Sequence, residues 1–151
     1  MGDGKGDLRP TASALNAAAI HLLRGMRATD RLSGLTPARL SALSVVVFGG
    51  PCTLGDLARA EDVAGPTMSR IVDGLSDLGL VTRTDHPDSG RKILVVATAE
   101  GDRQMRAAAA RRIEVISDAL LELPPTSRDA VTAAAPALLD LVEHLRGTPP
   151  A

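Results

Sequence analysis

A chain of 151 residues with 44% hydrophobic content is long enough to bury the core of one domain, or of one domain with a helical dimerisation appendage. Phe48 is its one Phe, and Trp and Tyr are absent, which excludes stacking platforms for single-stranded nucleic acid and aromatic cages for cations. The net charge of -1 argues against a chain held to nucleic acid by bulk charge, and the single cysteine, Cys52, excludes an intramolecular disulfide and points to a reducing compartment.

Met1 to Pro10 is Gly-rich and charged and is expected to form a flexible arm; its GDGKG lacks the preceding strand and the closing Lys-Ser/Thr of a phosphate loop. No leader or membrane span is read anywhere, so the expected location is the cytoplasm. From Thr11 to about Arg31, Leu15, Ala19, Leu22, Leu23 and Met26 recur on one helical stripe, while Arg24, Arg27 and Arg31 follow another face, read as a solvated side. Thr36 and Pro37 make an N-cap and N1 pair for a second helix holding Leu40, Leu43 and Val47, which Gly49, Gly50 and Pro51 end.

The stretch Thr53–Gly101 organises the rest. Thr53 with Asp56 makes a capping-box-like start, and Leu54, Leu57 and Ala58 give a short helix one apolar face. A turn at Glu61–Gly65 leads to Pro66 in the first turn of a second helix, where Met68, Ile71, Val72, Leu75 and Leu78 recur at helical spacing until Gly79 stops the run. The opposite face presents Thr67, Ser69, Arg70 and Asp73. Small polar groups and one arginine near a helix N-terminus are what a major groove admits, since bulk would hold the backbone away from the bases. Two β-prone runs, Leu80–Thr84 and Lys92–Val96, flank a turn-rich Asp85–Arg91, giving a two-stranded wing.

Beyond the wing, Thr98 caps a long helix with Met105, Ala109, Ile113, Ile116 and Leu120 on one face, halted at Pro124 and Pro125. Thr126 and Asp129 start a last helix with Val131, Ala134, Leu138, Leu141, Val142 and Leu145 aligned, and Pro136 is expected to kink it.

In LTPARLSAL, TLGDLARAEDV, PTMSRIVDGLSDLGLVTR, the wing HPDSGRK and the following TAEG, the chain resembles the MarR family of winged helix-turn-helix regulators. The family's wing usually carries an Asp-Arg-Arg run; the aligned positions here read Ser89, Gly90, Arg91. The resemblance implies a mainly α (α+β) fold: a winged helix-turn-helix DNA-binding domain at 36–97, a helical dimerisation region at 11–35 and 98–147, and a frayed tail at 148–151. It implies a homodimer on a pseudo-palindromic double-stranded operator with half-sites about 10 bp apart, acting as an effector-responsive repressor. Pro66, Thr67, Ser69 and Arg70 would enter the major groove, Arg91 would reach a minor groove, and Arg39 would touch the DNA backbone. By resemblance, an effector pocket for an anionic aromatic or lipophilic compound would collect His21, Arg24, Val47, Phe48 and Met105.

Residues 54–96 hold five basic and seven acidic groups, so sequence-independent affinity should be weak. That acidic head and the depleted wing support an alternative, a winged-helix dimer acting as a protein-interaction or ligand-sensing module. No enzyme, cofactor or metal is expected: His21, His86 and His144 are widely separated, no nucleophile or metalloprotease motif occurs, and Asp85, His86 and Asp88 read as a solvated polar turn. Cys52 is read as a small buried residue rather than an oxidant sensor, having no basic sequence neighbour to activate it.

Overall fold

Helix α1 spans Arg9–Arg31, starting two residues ahead of the expected Thr11 because Pro10 sits in its first turn, where a missing amide costs nothing. The computed structural model describes residues 7–86 and 89–147. Helix α2 follows at Pro37–Gly49, with the Thr36 hydroxyl accepting from the Arg39 amide at 3.3 Å. Strand β1, Cys52–Thr53, leads directly into α3 at Leu54–Ala60, and α4 occupies Gly65–Asp77. Strands β2 (Val81–His86) and β3 (Ser89–Ala97) form the wing, followed by α5 (Ala99–Leu121) and α6 (Pro125–Gly147).

The mainly helical winged-helix arrangement expected from the sequence is present, with one correction: the sheet has three strands, ordered β1-β3-β2 and antiparallel throughout. Cys52 pairs with Val95 and Thr53 with Leu94, so β3 is central and β1 covers what would otherwise be an open edge. The wing strands are also longer than expected, because pairing continues from Val81↔Ala97 to Asp85↔Ile93 before a register shift brings His86 opposite Ser89. Pro87 and Asp88, part of the expected turn, lie outside the described residues, as do Met1–Gly6 and the tail from Thr148.

Residues 1–112 and 113–151 form two units. The core lies in the first, where Leu40, Leu43 and Val46 of α2, Leu57 of α3, and Met68, Val72 and Leu75 of α4 pack with Leu80, Val81, Val95, Met105 and Ala108. Leu78 departs from its expected apolar stripe: it is the C-cap of α4, half exposed, where the chain turns into Gly79 at φ 70°. The end of α1 is tied to α5 by Asp30 Oδ1 to Arg112 Nε at 2.5 Å and by Gln104 Nε2 donating to the Ser33 carbonyl at 2.7 Å. Along α1 itself only Met26 is buried; Leu15, Leu22 and Leu23 of the expected stripe face outward, Leu23 at 67% exposure.

In the second unit no residue among the described 113–145 is buried, and Ile113, Leu139 and Leu145 are each over 60% exposed. Helix α6 starts at Pro125, one residue before the expected Thr126, with the Pro124 carbonyl accepting from the Ser127 and Arg128 amides. The helix continues past Pro136 to Gly147, so the missing amide there is tolerated within a single assigned helix.

Candidate nucleic-acid interface

The reading head is set by local chemistry. Thr53 Oγ1 accepts from the Asp56 amide at 3.1 Å and the Asp56 carboxylate accepts from the Thr53 amide at 3.3 Å, a complete capping box that fixes the start of α3. The Thr53 hydroxyl and amide hydrogen bonds hold the Asp56 carboxyl below the usual carboxylate range, with Arg59 and Lys92 adding to the shift. Helix α3 ends at Glu61, Asp62 takes a positive φ of 51°, and Ala64 in extended conformation caps α4, its carbonyl accepting from the Thr67 and Met68 amides.

Burial sorts α4 into two faces. Met68, Val72, Gly74 and Leu75 are buried, whereas Pro66, Thr67, Arg70 and Asp73 are exposed and Ser69 is half-buried. The four residues expected to read DNA therefore lie together at the leading end of one helix. Arg70 has no ion-pair or hydrogen-bond partner among the described residues.

Asp73 on the same face is held by Arg83 of β2, Nη2 to Oδ1 at 2.6 Å. Sequence reasoning missed this pair: the two-residue period of β2 puts Arg83 on the same face as buried Val81, but the approach of that face to α4 is decided by core packing. It ties the wing to α4 and sets the Arg83 cation against the Asp73 carboxylate of that face, at no change in net charge. Arg91 lies in β3, but its side chain is outside the described residues. Arg39 is half-buried, and its guanidinium rests against Gly74 of α4 rather than standing apart at the start of α2.

The expected effector residues are only partly brought together. Val47 packs against the core that contains Met105, and Met105 is 2% exposed, a core side chain rather than an open pocket wall. Phe48 is 57% exposed with the Arg106 guanidinium 5.8 Å from its ring centroid, a cation–π contact that spacing along the sequence could not reveal. His21 and Arg24 are exposed on α1, without a hydrogen bond or ion pair among the described residues.

Cys52 is half-buried in β1, and burial, followed by the nearby Asp56 charge, pushes its thiol up from the ordinary value, which disfavours the reactive thiolate. Among the described residues no group of three His, Cys, Asp or Glu side chains is placed to hold a metal, and no helix is long and apolar enough to cross a membrane. Asp88 of the polar turn considered for a metal is outside the described residues.

Residues 33–92 match the MarR family. An uncharacterised HTH-type transcriptional regulator of Mycobacterium bovis is 36% identical over 133 residues, which cover 88% of this chain and 93% of that protein. Among solved structures, a MarR family protein from Bacillus stearothermophilus aligns with a TM-score of 0.80 at 18% identity, covering 95% of this chain and 98% of that one. NadR in complex with 4-hydroxyphenylacetate aligns with a TM-score of 0.66 at 20% identity, covering 85% and 89%. At those identities the structural likeness speaks for the fold, while the mycobacterial relative matches along nearly its whole length. With the capped helix-turn-helix, the wing and that relative taken together, the chain belongs to the MarR family of winged helix-turn-helix transcriptional regulators.

Proposed function

We propose that the protein is a homodimeric, effector-responsive repressor of the cytoplasm that binds a pseudo-palindromic double-stranded operator. The observation that carries this reading is the leading end of α4, where Pro66, Thr67 and Arg70 are exposed together beside half-buried Ser69. Each α4 enters a major groove. Arg91 meets the adjacent minor groove, where a guanidinium favours the narrow, strongly negative A-T-rich form. Arg39 contacts the phosphate backbone. The Asp73–Arg83 pair is consistent with the reading, since it sets a cation directly against the carboxylate on the exposed face of α4, while the net charge of the head is unchanged.

Dimerisation uses the apolar faces that have no cover among the described residues, Leu22 and Leu23 on α1 and Leu138, Leu139, Val142 and Leu145 on α6. On this reading residues 11–35 and 98–147 make the dimerisation region and 36–97 the reading head. A small anionic aromatic or lipophilic effector, of the kind that NadR holds, binds near His21, Arg24, Val47 and Phe48 and shifts the dimer between DNA-competent and incompetent states. Gel-shift titration tests the assignment: Arg70→Ala and Arg91→Ala each weaken operator binding, and wild-type affinity in both variants would refute it.

A further inference from the structure

Gly74 stands in the middle of α4, where glycine costs a helix more than any residue but proline. Its backbone is ordinary helix without a positive φ, so conformation does not explain the choice. Space does. A Cβ built at this position would lie 2.5 Å from Cζ and 2.6 Å from Nε of Arg39, with Nη2 nearer still. The guanidinium of α2 thus occupies the volume that a side chain on the recognition helix would fill.

Arg39 is half-buried and makes no side-chain hydrogen bond or ion pair among the described residues. Asp73, the acid beside Gly74 in sequence, is engaged by Arg83. A cation partly removed from water without a counter-charge has lost hydration and gained no neutralisation, so an arriving anion finds it already placed. Direct contact with the helix backbone also fixes its position relative to Thr67 and Arg70, about two turns or less away on the same helix.

We propose that Gly74 is a positioning residue for DNA binding: its bare backbone seats Arg39 so that the guanidinium meets a phosphate flanking the groove that α4 enters. The inference rests on the DNA-binding reading above. Only the far end of one flexible side chain obstructs a methyl group at position 74, so Gly74→Ala is expected to fold and to displace the guanidinium.

The test compares wild type, Gly74→Ala, Arg39→Ala and the double variant on a duplex enriched by the wild-type protein from a random-sequence library. Thermal melting is followed in parallel. Gly74→Ala should melt at or above the wild-type temperature yet bind about tenfold more weakly, as expected for loss of charge-assisted contacts. Its plot of log affinity against log salt should flatten by about two for the dimer, one phosphate contact per protomer. Arg39→Ala should match it, and the double variant should be no worse than either single one. Wild-type affinity and salt slope in Gly74→Ala would overturn the proposal, as would additive losses in the double variant. A melting temperature well below wild type would also overturn it, because the guanidinium would then be a packing element. If the wild type enriches no duplex, the DNA-binding reading itself fails and carries this proposal with it, an outcome distinct from the other three.

Discussion

Replacing Gly101 by alanine tests the join between the wing and α5. Gly101 is buried in the first turn of α5, and its amide donates to Thr98 Oγ1 at 3.0 Å. The Thr98 hydroxyl in turn donates to the Gly79 carbonyl at 2.7 Å, and the Thr98 amide donates to the Leu80 carbonyl at 3.0 Å. A Cβ at position 101 would stand 2.9 Å from the Leu80 carbonyl carbon and 3.3 Å from its Cα, with the carbonyl oxygen nearer still. Carbon contacts settle near about 3.5–4.0 Å, so the two backbones must separate by roughly half an ångström or more. Overpacking of this kind costs about 1–3 kcal/mol, and straining the Thr98–Leu80 hydrogen bond adds about 1 kcal/mol. Alanine's better helix propensity returns under about 1 kcal/mol. The net expectation is a loss of about 1–3 kcal/mol, or roughly 2–12 °C in melting temperature for a chain of this size. Because the protein has neither Trp nor Tyr, unfolding is best followed by far-ultraviolet circular dichroism at one fixed protein concentration. Gly55→Ala is the control, since a Cβ there would meet only Thr53 Oγ1 at an ordinary 3.8 Å. If both variants melt within a degree or so of wild type, the close approach at Gly101 does not constrain the fold.

Other expectations follow from the same geometry. The Asp56 carboxyl is depressed in the fold, so on acidification the unfolded chain takes up its proton first. The stability that Asp56 contributes is present at neutral pH and declines as pH falls through the ordinary carboxylate range, about 4, towards the folded value. Asp56→Asn should flatten that acid limb in a series of melts from neutral pH downward, and an unchanged limb would contradict the capping account. The Cys52 thiol, raised by burial and Asp56, should react with iodoacetamide at neutral pH more slowly than a free thiol and at the free rate once the chain is unfolded. Leu139→Glu places a charge on a 68% exposed leucine that no described residue covers, and on the proposed dimeric reading sedimentation should shift towards monomer with the helical signal retained. Unchanged self-association would remove Leu139 from the proposed interface.

The helix-turn-helix is legible in the sequence because its signals are local. Thr53 with Asp56, Pro66 in a first turn and Gly79 past a helix end are chemical punctuation marks, and the Met68, Val72, Leu75 spacing reports a buried stripe without reference to the rest of the chain. Strand β1 is invisible for the opposite reason: two residues cannot show a period of two, and Cys52 and Thr53 are strand only because Val95 and Leu94 present a pairing edge. Helix α1 begins before the expected Thr11 because Pro10 is a stronger start signal than the Gly-rich charge ahead of it is a signal against helix. At the candidate interface, the outward placement of Thr67 and Arg70 and the partial burial of Ser69 at the start of α4 can be read from helix position alone. The Arg39–Gly74 and Asp73–Arg83 contacts cannot, since each joins elements whose approach is decided by packing of the intervening core. Met105 shows the limit on the effector side: helical periodicity marks a residue as inward-facing but does not distinguish core from pocket wall.

The most direct test of DNA reading is a fluorescence-anisotropy titration of the protein against labelled duplex from upstream of its own coding sequence and duplex enriched from a random library, at two salt concentrations. The predicted result is tight, saturable binding that resists unlabelled random competitor and weakens in Arg70→Ala, with only a modest salt dependence from a head holding five basic and seven acidic groups. Absence of saturable binding to either duplex at the lower salt would contradict it and leave the winged-helix dimer as a protein-interaction or ligand-sensing module.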